Sequence, residues 1–98
     1  MKTATEVVKL DHVISDLLPS CQTGSVEVQR DLPHHEHEPH THPSDELLHV
    51  IRGSITFYID GEPFTCFKGD RLSLKRNTPH SSKAGPNGCT YVIAVLKS

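Results

Sequence analysis

Apolar and polar residues alternate along most of this chain in short runs, each closed by turn-forming residues. Ile55, Phe57 and Ile59 alternate with Ser54, Thr56 and Tyr58, and Asp60-Gly61 follows at once. Side chains two apart in a strand share a face, and Asp and Gly both tolerate positive φ, so this run predicts a strand entering a tight hairpin. The same reading predicts a strand over Ser25 to Leu32, with Val26 and Val28 on one face and Glu27 on the other. Further strands are expected over ELLHVI (46–51), PFTCF (63–67), RLSL (71–74), 80–83 and CTYVIAVL (89–96). Turns are expected at Arg52-Gly53, Lys68-Gly69-Asp70, Lys75-Arg76-Asn77 and Gly85-Pro86-Asn87-Gly88. About seven or eight short strands at this spacing predict an all-β protein, a small antiparallel sandwich or barrel.

The first 24 residues differ. Thr5 to Leu10 is a short extended candidate, and Val13, Ile14, Leu17 and Leu18 fall at helical spacing until Pro19 stops them. The expected organisation is therefore one domain: an N-terminal strand and short helical turn over 1–24, then the barrel over 25–98. A chain of 98 residues suits one modest core. Ten scattered Lys and Arg and a net charge of −2 give no basic stripe for nucleic acid. A signal peptide and a membrane span are both missing from the pattern, so a cytoplasmic location is expected. Cys21, Cys66 and Cys89 form no CxxC pair and are odd in number, which speaks against a disulfide framework or zinc knuckle. They are read as small buried hydrophobes.

Five of the eight histidines stand in HHEHEPHTH, residues 34–42. Such a cluster suits a metal-chelating tract, an imidazole-rich surface loop, or part of a built metal site. His40 and His42 have the i, i+2 spacing that presents two imidazoles on one face of a strand. Glu46 heads a face that continues with Leu48 and Val50, where an unpaired buried carboxylate would cost several kcal/mol; a cation shared with the histidines would supply its partner. His80, after Pro79, lies on a later strand able to return beside the first. Three imidazoles and a carboxylate suit Fe, Mn, Ni, Zn or Cu as a divalent ion. His34, His35 and His37 precede Pro39 in an acid-rich segment and are expected in a solvated loop at the barrel mouth, with a proton-transfer role over the metal as the sharper alternative. His49 should face away from Glu46, and His12 has no neighbours of interest. A helical HExxH zinc motif is excluded, because no histidine pair brackets Glu36 or Glu38 and Pro39 would break the helix.

The spacing His40-x-His42-x3-Glu46-x6-Gly53 resembles the first signature of the cupins, and Gly69-x10-His80 with Pro79 resembles the second. Lys75 and Asn77 replace the second signature's usual proline and glycine, Ala84 replaces its asparagine, and His34 stands where a glycine often precedes the first. The resemblance implies a double-stranded β-helix, the jelly-roll barrel of that family, with His40, His42, Glu46 and His80 holding one divalent transition metal per chain. It further implies a metalloenzyme acting on a small organic molecule, foremost a dioxygenase of a diol, thiol or enol, with an isomerase or lyase next. A non-catalytic metal- or ligand-binding module and a barrel with a purely structural metal are the alternatives. Five aromatics and no tryptophan favour a small substrate over a large planar one. A homodimer is expected, since a barrel this small leaves sheet edges to cover and Thr5 to Leu10 offers a free β segment.

Overall fold

The computed structural model describes residues 23–97. The segments Thr5 to Leu10 and Val13 to Leu18, and with them the expected strand pairing between copies, lie outside the described residues. Among the described residues six strands form: β1 (Thr23–Asp31), β2 (Glu36–His40), β3 (Asp45–Ile59), β4 (Glu62–Phe67), β5 (Arg71–Leu74) and β6 (His80–Lys97). All pairings are antiparallel. No helix long and apolar enough to cross a membrane occurs among the described residues.

Two of the strands are long because each serves two sheets. The later half of β6 (89–97) lies between β1 and the first half of β3, and β5 flanks β3 on its other side. The earlier half of β6 (80–84) lies between β2 and the second half of β3, and β4 flanks that. The result is two four-stranded sheets wound from shared strands, which is the expected double-stranded β-helix.

Arg52-Gly53 and Gly85 to Gly88, expected as chain reversals, are instead the corners at which β3 and β6 pass from one sheet to the other. The β3–β6 register shifts between Val50 and Arg52 and again between Gly53 and Ile55. Gly53 and Gly88 have φ of 79° and 76°, and a Cβ on Gly53 would stand 2.1 Å from the Gly88 carbonyl oxygen. Glycine serves here to let two bulged backbones touch, not to reverse the chain. Asp60-Gly61 does make the expected hairpin, with φ of 53° and 78° as a type I′ turn requires.

The core between the sheets takes Leu48, Val50, Leu74 and Tyr91 from one side and Ile55, Phe57, Cys66 and Ala84 from the other. A second cluster lies on the opposite face of the β1-containing sheet, where Val92 and Ala94 are fully buried and Val26, Leu47, Ile51 and Leu96 pack against them. Val26 therefore points away from the barrel interior, and Val28 is 55% exposed. The interior face of β1 carries Gln29 and Asp31.

Candidate metal centre

His37, expected with His34 and His35 in a solvated loop, instead lies on strand β2, which pairs with β6 and ends at His40. His37 pairs with Ser82 and His40 with His80, so three steps on β2 oppose two on β6. That extra residue is a bulge, and it falls at Glu38-Pro39, where a proline without an N–H costs no ladder bond. Paired residues share a face, and both Ser82 and His80 are buried. The bulge thus turns His37 and His40 to the same side despite their odd spacing. His42 follows in the connection to β3, beyond the strand that its spacing suggested.

The three histidines expected as ligands come together. Their ring centroids are 4.7 Å apart for His40–His42, 4.4 Å for His40–His80 and 5.3 Å for His42–His80. One ligand atom from each lies within 4.8 Å of the others. His40 Nδ1 is 2.6 Å from the Glu38 carbonyl oxygen, and His80 Nδ1 is 2.9 Å from that of Thr78. A carbonyl only accepts, so each Nδ1 carries the proton and each Nε2 keeps a lone pair for a metal. Glu46, 8% exposed, stands beside His42, with Oε2 3.6 Å from Nδ1. It lies next to the three-imidazole group and is not one of its members, while all four residues line one cavity of about 160 Å³. Leu48, Phe57, Leu74 and Ile93 give that cavity an apolar wall. Burial lowers the His80 pKa from its ordinary value, aided by the neighbouring His40 and His42, against the raising effect of its Thr78 bond and Glu46. A buried imidazole held neutral is in the form that binds metal. The donor set therefore fits a divalent transition ion.

The turn before His80 is fastened to the segment before Glu46. The Asn77 amide donates to the His42 carbonyl at 2.7 Å, and the Arg76 amide donates to Asp45 Oδ1 at 2.8 Å. Asn77 and His34, which replace the family's glycines, have φ of 61° and 64°, so both hold the left-handed backbone those glycines would supply. His49 faces away from Glu46 and accepts a hydrogen bond from Arg71 Nε at 2.8 Å.

Residues 27–92 match the Cupin domain family. The chain is a cupin. An acireductone dioxygenase from Alcanivorax borkumensis is 38% identical to this cupin over 53 residues, 50% of the chain. The match spans only 29% of that relative's length. A cupin-2 domain-containing protein from Shewanella frigidimarina superposes with a TM-score of 0.67 at 16% identity, over 96% of this chain and 98% of that one. A protein with a double-stranded β-helix domain from Klebsiella pneumoniae gives 0.67 at 25% identity, over 76% and 70% of the two chains.

The sequence pattern did not disclose Asp31. Its carboxylate is buried at the end of β1 and accepts bonds from Gln29 Nε2, His37 Nε2 and the Tyr91 hydroxyl. Burial pushes its pKa up, but these bonds, with the attraction of the His37 ring when protonated, outweigh that and hold it below the ordinary value. The available signal was polar Gln29 and Asp31 sharing one face of a strand, opposite its valines.

Proposed function

We propose that this cupin holds one divalent transition metal through His40, His42, Glu46 and His80 and uses it to transform a small, acidic organic molecule, foremost as a dioxygenase. The observation that carries this reading is the convergence of three imidazoles, two with Nδ1 tied to backbone carbonyls, at the wall of an apolar-lined cavity. When bound, such an ion supplies Lewis acidity and, if redox-active, electrons for oxygen chemistry. The chain itself orients the imidazoles, keeps His80 neutral, and excludes water with Leu48, Phe57 and Ile93. Room beside the histidines favours a ligand-accepting site over a purely structural one. The relative among acireductone dioxygenases supports the oxygenase subclass over half of this chain.

The test is elemental analysis of protein purified without added metal or chelator, followed by oxygen-uptake measurements with enediols, 1,3-diketones, catechols and thiols. About one transition metal per chain and oxygen consumption with one class is the expected result. A protein that neither carries nor acquires a transition ion would refute the reading. A metal-loaded protein inert to all four classes would refute the oxygenase subclass alone.

A further inference from the structure

His37, at the cavity wall, is paired with Asp31 behind it, and the metal site uses neither residue. The Asp31 side chain is 1% exposed, whereas that of His37 is 31% exposed and lines the cavity beside His40 and His42. His37 Nε2 lies 3.0 Å from both Asp31 oxygens. Gln29 Nε2 at 3.0 Å and the Tyr91 hydroxyl at 3.1 Å hold the carboxylate from its other sides. An ionised carboxylate only accepts, so Nε2 must be the protonated nitrogen, and the lone pair is left on Nδ1. A pair serving packing alone would bury both members. Here the acid is buried, three donors hold it, and the imidazole stands at the wall of the ligand space. That is the division of labour in which a carboxylate fixes an imidazole's tautomer and then balances the cation formed when the imidazole takes a proton.

Resting on the reading that this cavity takes a small acidic ligand, we propose that His37 is its proton acceptor, positioned by Asp31. An O–H bond of the ligand, or a C–H bond next to its carbonyl, breaks; the electron pair stays on the ligand as an anion. The proton joins Nδ1 of His37, and the imidazolium so formed is paired with Asp31. No oxidant or reductant enters the step. His35, whose ring meets that of His37 edge-on at 4.7 Å, is exposed and takes no part.

Two measurements on the full chain test this. In metal-free protein at about pH 8, long-range nitrogen–proton NMR should show His37 as the single tautomer protonated at Nε2. Asp31→Asn should yield a mixture of tautomers. A wild-type His37 protonated at Nδ1, or already a mixture, would overturn the proposal. The second measurement is calorimetry of acetohydroxamic acid binding to Zn(II)-loaded protein in buffers of different ionisation enthalpy. His37 offers one free ring nitrogen, so the wild type should release about one proton fewer per chain than His37→Gln, which keeps an amide for Asp31. Equal proton release would overturn the proposal, as would zinc-loaded protein that rejects the hydroxamate. So would a second zinc ion held by Asp31, His35 and His37, whose ligand atoms also lie within 4.8 Å. If zinc itself fails to bind, the metal centre falls, and the metal-free tautomer measurement still decides the role of Asp31 and His37.

Discussion

Replacing His80 by alanine separates a built site from a chelating tract. His80 is 6% exposed, and its centroid is 4.4 Å from that of His40. Changes to the outer partners of metal ligands weaken binding by roughly 10- to 100-fold, so losing a ligand should cost at least that much. At about 1.4 kcal/mol per tenfold, the loss is no less than about 1.4–2.7 kcal/mol. The fold should survive. Its direct losses are the bond to the Thr78 carbonyl, worth about 0.5–1.5 kcal/mol, and the contacts of one small ring. Removing a buried polar ring also relieves its desolvation, so a total near ~1–2 kcal/mol is expected against a typical ~5–15 kcal/mol of stability. Calorimetric titration with Zn(II) reads the first quantity, and thermal unfolding followed by circular dichroism reads the second. The control is His34→Ala with His35→Ala, both exposed, which should leave tight binding intact. If His80→Ala proves silent and the control abolishes binding, the metal sits on a flexible tract and the converged site is wrong.

The folded-state pKa of His80 is lowered, so the unfolded chain takes up its proton first as pH falls. Its contribution to stability is therefore complete above about pH 6.5 and declines below it; urea unfolding at about pH 7.5 and 5.5 should show a larger loss for metal-free wild type than for His80→Gln, and equal losses would contradict this. Asn77→Val should cost about 1–2 kcal/mol for a branched residue held at φ 61°, a drop of roughly 4–8 °C per kcal/mol, whereas Asn77→Gly should melt near wild type. Burial pushes the Cys89 thiol up to about 12, with nearby Asp31 adding to the effect, and Cys66 is raised the same way. Iodoacetamide mapped by mass spectrometry should accordingly spare both in native protein and modify both in guanidinium, and rapid native labelling of either would show the thiol to be accessible.

The parts of the fold legible in sequence were those governed by local alternation. Glu46, Leu48 and Val50 do share a buried face, and Asp60-Gly61 does close a hairpin. Long-range geometry hid the rest. A glycine that lets two backbones meet looks identical in sequence to one that reverses the chain, so Gly53 and Gly88 were read as strand ends. Strand β2 contains no apolar residue, because its inward positions carry histidines, and hydrophobic periodicity cannot find a strand whose interior face is polar. The bulge at Glu38-Pro39 then hid His37, since counting by twos places it opposite His40. Asp31 was invisible for a related reason: Val26 packs on the far side of its sheet and Val28 is exposed, so the apolar face of β1 was not the interior one.

The fastening of the β5–β6 turn to the segment before β3 also bears on when this protein can acquire a metal. Arg76 and Asp45 are 31 positions apart, and closing a loop of that length must be compensated by contacts formed after the ends have met. A nascent chain that has emerged only as far as Leu74 already carries His40, His42 and Glu46, yet it lacks both His80 and the Asn77 amide that ties the His42 carbonyl in place. At the proposed site, metal capture would therefore belong to the last stage of folding, after β6 has threaded between its neighbours. An ion met earlier would find only the loose histidines of residues 34–42. Hydrogen exchange at the Asn77 amide reports the same event from the native side, since that proton can leave only when the two ligand-bearing segments part.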